Sequence, residues 1–72
     1  APLDDAYFAL RKGDYQNALV LVMPYAENGV PFAQYVVGAI MDGGFGNPDH
    51  KPDEAVKWYQ RAAEKGHPEA QT

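Results

Sequence analysis

The chain has 72 residues, no cysteine and a net charge of −4 from ten acidic and six basic side chains. This excludes a disulfide scaffold or thiolate metal site, and the scattered bases lack the positive field that phosphate binding needs. An apolar fraction of 46% suffices for a packed core, while the longest apolar run, Ala18–Met23, is six residues and cannot span a membrane.

Punctuation divides the chain into helices. Asp4–Lys12 reads as a short helix ended by Gly13, with Leu3, Tyr7, Phe8 and Leu10 as its apolar positions. Asp14 caps a second helix reaching about Asn28, whose buried side carries Ala18, Leu19, Leu21, Val22, Tyr25 and Ala26. Pro24 inside it removes one backbone bond and is expected to kink the last turn. Gly29 stops the helix, and Pro31 opens a third at the position where a missing N–H costs nothing. This third helix, Pro31–Asp42, is apolar almost all round and belongs at the centre of the structure. Gly38 in its middle sacrifices about 1 kcal/mol of helix propensity, which points to close approach of a neighbouring helix. Residues 43–50 form a glycine-rich loop. Pro52 starts a fourth helix that runs to Lys65, with Ala55, Val56, Trp58, Tyr59, Ala62 and Ala63 facing inward. Gly66 ends it, and Pro68 begins one further turn.

The sequence also repeats itself. Residues 18–34 align without a gap on residues 55–71, with seven identities in seventeen positions, where composition alone gives about one. A period of 37 residues marks stacked helical hairpins, each unable to bury its apolar face alone. Such arrays hold partners more often than they perform chemistry.

The run Ala33-Gln34-Tyr35, Val37-Gly38, Gly44-x-Gly46, Asp53-Glu54-Ala55, Trp58-Tyr59, Ala62-Ala63-Glu64, Gly66 and Ala70-Gln71 closely resembles the Sel1-like repeat. Met41 where that family favours tyrosine, Asn47 in place of valine and a loop one residue longer are departures. The resemblance implies an all-α fold of antiparallel helical hairpins stacked as a short right-handed solenoid of the tetratricopeptide-like kind. It divides the single domain 1–72 into a partial repeat 3–32, a complete repeat 33–69 and the start of another at 70–72. It gives Ala33, Gly38, Ala55, Ala62, Ala63 and Gly66 a role in close helix packing and turns, and makes Trp58 and Tyr59 gap fillers. Gly44 and Gly46 would supply loop backbone angles that other residues resist. Gly13-Asp14-Tyr15 followed by Ala18 reads as the opening of an array. The family's habits and the Ala-Pro start point to a bacterial protein, periplasmic or secreted.

Chemical sites fare poorly against this background. The loop Gly43–Gly46 lacks the Lys-Ser/Thr of a phosphate cradle. His50 and His67 lack metal-ligand spacing, and the acidic pairs Asp4/Asp5 and Asp53/Glu54 sit in first turns, where they favour the helix dipole. The basic face Lys57, Arg61 and Lys65 reads as ion-paired with Asp53 and Glu64. The chain has no serine or cysteine, and its one threonine is Thr72, so these nucleophiles are unavailable inside it. The expectation is a non-enzyme without cofactor or metal.

What remains is binding. In related repeats the first helix of each pair lines the concave surface, which nominates Tyr7 and Tyr35 as anchors flanked by Arg11 and Gln34. The leading expectation is an adaptor or regulator holding a peptide or protein there, with no nucleic-acid partner. The alternative is a homodimer formed through the open apolar side of the fourth helix. A small-molecule pocket is a third option, one that so few helices can barely wall in.

Overall fold

The computed structural model describes residues 2–64, and among them the protein is all-helical, with four α-helices and no strand. Helix α1 runs Pro2–Arg11, α2 Tyr15–Glu27, α3 Pro31–Met41 and α4 Pro52–Glu64. The boundaries follow the sequence punctuation. Asp14 is the N-cap of α2 and accepts a bond from the Asn17 amide at 3.4 Å. Pro31 and Pro52 occupy the first positions of α3 and α4, where proline forfeits no helical hydrogen bond. The expected turn at Pro68, together with Lys65, Gly66, His67 and the repeat start at 70–72, lies outside the described residues.

Helix α2 continues through Pro24 to Glu27. Proline deprives the carbonyl four residues back, that of Val20, of its donor; both residues are exposed, so water can satisfy the carbonyl. The end of the helix is closed by its own backbone, with the Asn28 amide on the Pro24 carbonyl at 3.1 Å and the Val30 amide on the Tyr25 carbonyl at 3.0 Å.

Successive helices pack on one another, α1 on α2, α2 on α3 and α3 on α4. Helix α3 is buried at Ala33, Gln34 and every position from Val36 to Ile40, as a helix apolar on all sides must be. Much of the buried apolar surface elsewhere is alanine: Ala6, Ala9, Ala18, Ala26, Ala55 and Ala62. Side chains this short bring backbones together, and Ile40, Val22 and Val37 are the largest that are wholly enclosed. A close approach falls at Gly38. A Cβ there would lie 2.8 Å from the Tyr59 ring and 3.3 Å from the Ala55 carbonyl, so α4 packs into the space that glycine leaves.

Three expectations are corrected by the packing. Val56 is 53% exposed rather than inward-facing, because the buried stripe of α4 runs through Ala55 and Ala62 and Val56 lies about 100° round the helix from Ala55. Tyr25 is exposed for a similar reason, standing beside the stripe Ala18, Val22 and Ala26. Gly44 does not adopt a left-handed angle; Gly43 and Gly46 do. What demands glycine at 44 is proximity, since a Cβ would meet Asp42 Oδ1 at 3.1 Å and the Ala39 carbonyl at 3.2 Å.

Candidate functional site

Helix α1 shows solvent an aromatic edge. Its inward positions are Ala6, Ala9 and Leu10, which leaves Tyr7 and Phe8 outside at 38% and 58% exposure. Tyr7 leans on Phe32 of α3, their ring centres 6.1 Å apart and tilted by 46°. The Lys12 ammonium lies 4.7 Å from the centre of the Phe8 ring, a cation over a π face. Phe45, from the loop after α3, completes a cleft of about 550 Å³ lined by Asp4, Tyr7, Phe8, Leu10, Arg11 and Phe45. Arg11 is exposed and stands three residues beyond Phe8, on the same side of the helix. Rings that present apolar area, with a guanidinium alongside, suit a ligand carrying both an apolar group and an anion.

The loop that carries Phe45 is held by its own backbone, with the Gly46 amide on the Gly43 carbonyl at 2.9 Å and the Lys51 amide on the Met41 carbonyl at 2.6 Å, and by side chains. Asp42 accepts from the Gly44 amide at 2.8 Å through Oδ1 and from the Tyr59 hydroxyl at 2.6 Å through Oδ2. Burial first, then the bond to Asp42 and the charges of Asp42 and Tyr35, raise the Tyr59 phenol well above its ordinary 10.0. Asn47 is buried; its amide donates to the carbonyls of Ile40 at 3.3 Å and Asp49 at 3.4 Å, and its oxygen accepts from the Asp49 amide at 3.1 Å. His50 Nδ1 lies 3.2 Å from the Asn47 carbonyl. The Tyr15 hydroxyl of α2 donates to the Phe45 carbonyl at 2.7 Å.

Of the four residues nominated for partner binding, the structure brings Tyr7 and Arg11 into one cleft. Gln34 is 5% exposed, and its amide donates to the Ala26 carbonyl at 3.1 Å, which makes it a buried link between α2 and α3 rather than a surface contact. Tyr35 is half-buried against Tyr59, ring centres 5.6 Å apart. Among the packing residues, Ala33, Gly38, Ala55 and Ala62 are buried, and Trp58, Tyr59 and Ala63 are half-buried. Arg61 lies 4.6 Å over the Trp58 ring.

Sequence reasoning missed Phe8 and Phe45 as cleft residues and Asn47 as the organiser of the loop. For Phe8 a signal existed: its apolar neighbours Ala6, Ala9 and Leu10 already define the buried side of α1. Phe45 and Asn47 carried none, because their partners Tyr15 and Ile40 lie 30 and 7 residues away.

A second groove of about 560 Å³ lies beside Tyr15, with Leu19, Val20, Met41, Asn47 and Lys51 among its walls. Among the described residues no cluster of three or more metal-ligating side chains occurs, and no helix is long and apolar enough to cross a membrane. No family model matches the sequence, and comparison with curated proteins and with solved structures finds no significant match.

Proposed function

We propose that this protein is a non-catalytic interaction module of the Sel1-like kind, which binds a short peptide segment of a protein partner in the cleft of Tyr7, Phe8 and Phe45. One observation carries the reading: three exposed aromatic rings from two separate parts of the chain converge on one concavity beside Arg11. Its volume of about 550 Å³ falls within the roughly 300–1,000 Å³ common for ligand sites. The fitting occupant is an extended segment with an apolar or aromatic side chain and a neighbouring carboxylate, the ring seated among the aromatics and the carboxylate on Arg11. The sequence repeat, the neighbour-by-neighbour packing of α1 to α4 and the fit of α4 against Gly38 support the stacked-hairpin reading. Under that reading α1 and α3 supply the concave side, and the adaptor role, bacterial origin and exported location follow from the resemblance alone.

Panning a random peptide library on the immobilised protein tests this. Enriched peptides should pair an apolar ring with an acidic neighbour. Phe8→Ala and Arg11→Glu, both at exposed positions, should each weaken the best peptide by about tenfold or more, the scale of an interface anchor. Peptides that bind both variants as they bind the wild type would overturn the proposal.

A second reading, self-association through α4, draws on the exposure of Val56. Mass by light scattering across a concentration series decides it: a dimer dissociated by Val56→Lys supports it, and a monomer throughout removes it.

A further inference from the structure

Phe45 is the cleft wall that α1 does not supply, and it stands on a loop. A ring on a loop offers a defined surface only when its backbone is fixed. The Gly46 amide closes a turn on the Gly43 carbonyl at 2.9 Å, and the bond to Phe45 itself comes from 30 residues away, the Tyr15 hydroxyl donating to the Phe45 carbonyl at 2.7 Å. The next residue accommodates that bond. Gly46 has φ +88°, an angle that residues with a Cβ rarely adopt, and a Cβ there would come within 3.2 Å of the Tyr15 oxygen. The loop is anchored on both sides of Phe45, by Asp42 on the Gly44 amide and by the Asn47 amide on the Ile40 carbonyl. Between those anchors Tyr15 holds the Phe45 carbonyl itself. Tyr15 does not line the aromatic cleft; its surface belongs to the neighbouring groove.

We infer that the Tyr15 hydroxyl is a positioning group for the binding cleft: it pins the Phe45 carbonyl and thereby sets the ring of Phe45 opposite Tyr7 and Phe8. The inference rests on the reading of that cleft as the binding surface. Tyr15 contributes to affinity without touching the ligand, through the geometry of one wall. Removing its hydroxyl frees the Phe45 carbonyl to turn, while the Gly43–Gly46 bond and the anchors at Asp42 and Asn47 keep the loop attached to the body.

Two readouts test it in the full chain. In the first, 4-fluorophenylalanine replaces Phe45 and its fluorine resonance is recorded without ligand. Tyr15→Phe should move that resonance towards its position in the urea-unfolded protein, and 4-aminophenylalanine at position 15, which keeps a donor, should restore it. In the second, 8-anilinonaphthalene-1-sulfonate serves as the probe, since it joins an aromatic system to one anionic group. Its affinity should fall about three- to tenfold in Tyr15→Phe, the range that losing one net hydrogen bond allows, with recovery in the 4-aminophenylalanine protein. An unmoved fluorine resonance in Tyr15→Phe overturns the inference, even where Phe8→Ala and Arg11→Glu release the dye. Dye binding indifferent to Phe8→Ala and Arg11→Glu counts instead against the cleft as the binding surface, and the fluorine resonance still decides whether Tyr15 positions Phe45.

Discussion

The interface between α2 and α3 and the loop from Asp42 to Lys51 are adjacent in space but are held by different forces. At the interface Ala18, Val22, Ala26, Ala33, Val37 and Ile40 are almost wholly buried, and stability comes from apolar area and close-packed volume. In the loop, Asp42, Gly44, Phe45 and Gly46 are all exposed, and the backbone is fixed by individual hydrogen bonds, some of them its own and others from Asp42, Tyr15 and Asn47, with Tyr59 holding Asp42. The interface therefore responds to changes in volume, whereas the loop responds to the loss of a single donor or acceptor. The proposed binding cleft joins the two, with Tyr7 and Phe8 on a helix and Phe45 on the loop.

The largest effect should come from the interface. Ile40 is fully enclosed, and Ile40→Ala should cost about 2–5 kcal/mol in urea unfolding. That is a large share of the roughly 4–11 kcal/mol available to a domain of this size. Gly38→Ala comes next and sets two terms against each other. Better helix propensity returns about 1 kcal/mol, but a Cβ 2.8 Å from the Tyr59 ring and 3.3 Å from the Ala55 carbonyl forces α3 and α4 apart. Overpacking of that kind costs about 1–3 kcal/mol, so the net change should be destabilising. A gain in stability from Gly38→Ala would show that the fit between the two helices is looser than described.

Gly46→Ala sharpens the contrast from the loop side. Imposing φ +88° on alanine should cost about 1–2 kcal/mol. Hydrogen exchange should quicken at residues 44–47 and stay unchanged at Val22 and Val37. Exchange that rises equally in both regions would mean that the loop and interface are one cooperative unit.

A further effect is confined to alkaline pH. Burial and Asp42 hold the Tyr59 phenol protonated beyond its ordinary 10.0. Because the folded value is raised, the associated stability is complete below pH 10 and declines as the pH climbs towards the folded value. Tyr59→Phe should flatten the stability profile above pH 10, and an unchanged slope would contradict the burial of the phenol and its bond to Asp42.

The contrast also explains which features were legible in the sequence. Helix starts at Asp14, Pro31 and Pro52, and the close approach at Gly38, depend on local chemistry or on one residue's size, and both can be read along a chain. Gln34 was misplaced because a polar side chain suggests a surface; burial of α3 on every side overrides that. Val56 and Tyr25 each lie one residue off a buried stripe, a distinction that apolar spacing resolves poorly. In the cleft, Tyr7 and Arg11 were nominated through the resemblance, which puts their helix on the concave side, while Phe45 and its tie to Tyr15 depend on a contact across 30 residues that no local pattern encodes.

The most direct test of the central claim is a ¹H–¹⁵N spectrum of the labelled protein titrated with the best peptide from the panned library. Shifts should concentrate at residues 4–11 and 45, with Val20 and Val56 unmoved. Shifts centred on α4 around Val56, or on the second groove around Leu19 and Lys51, would contradict it.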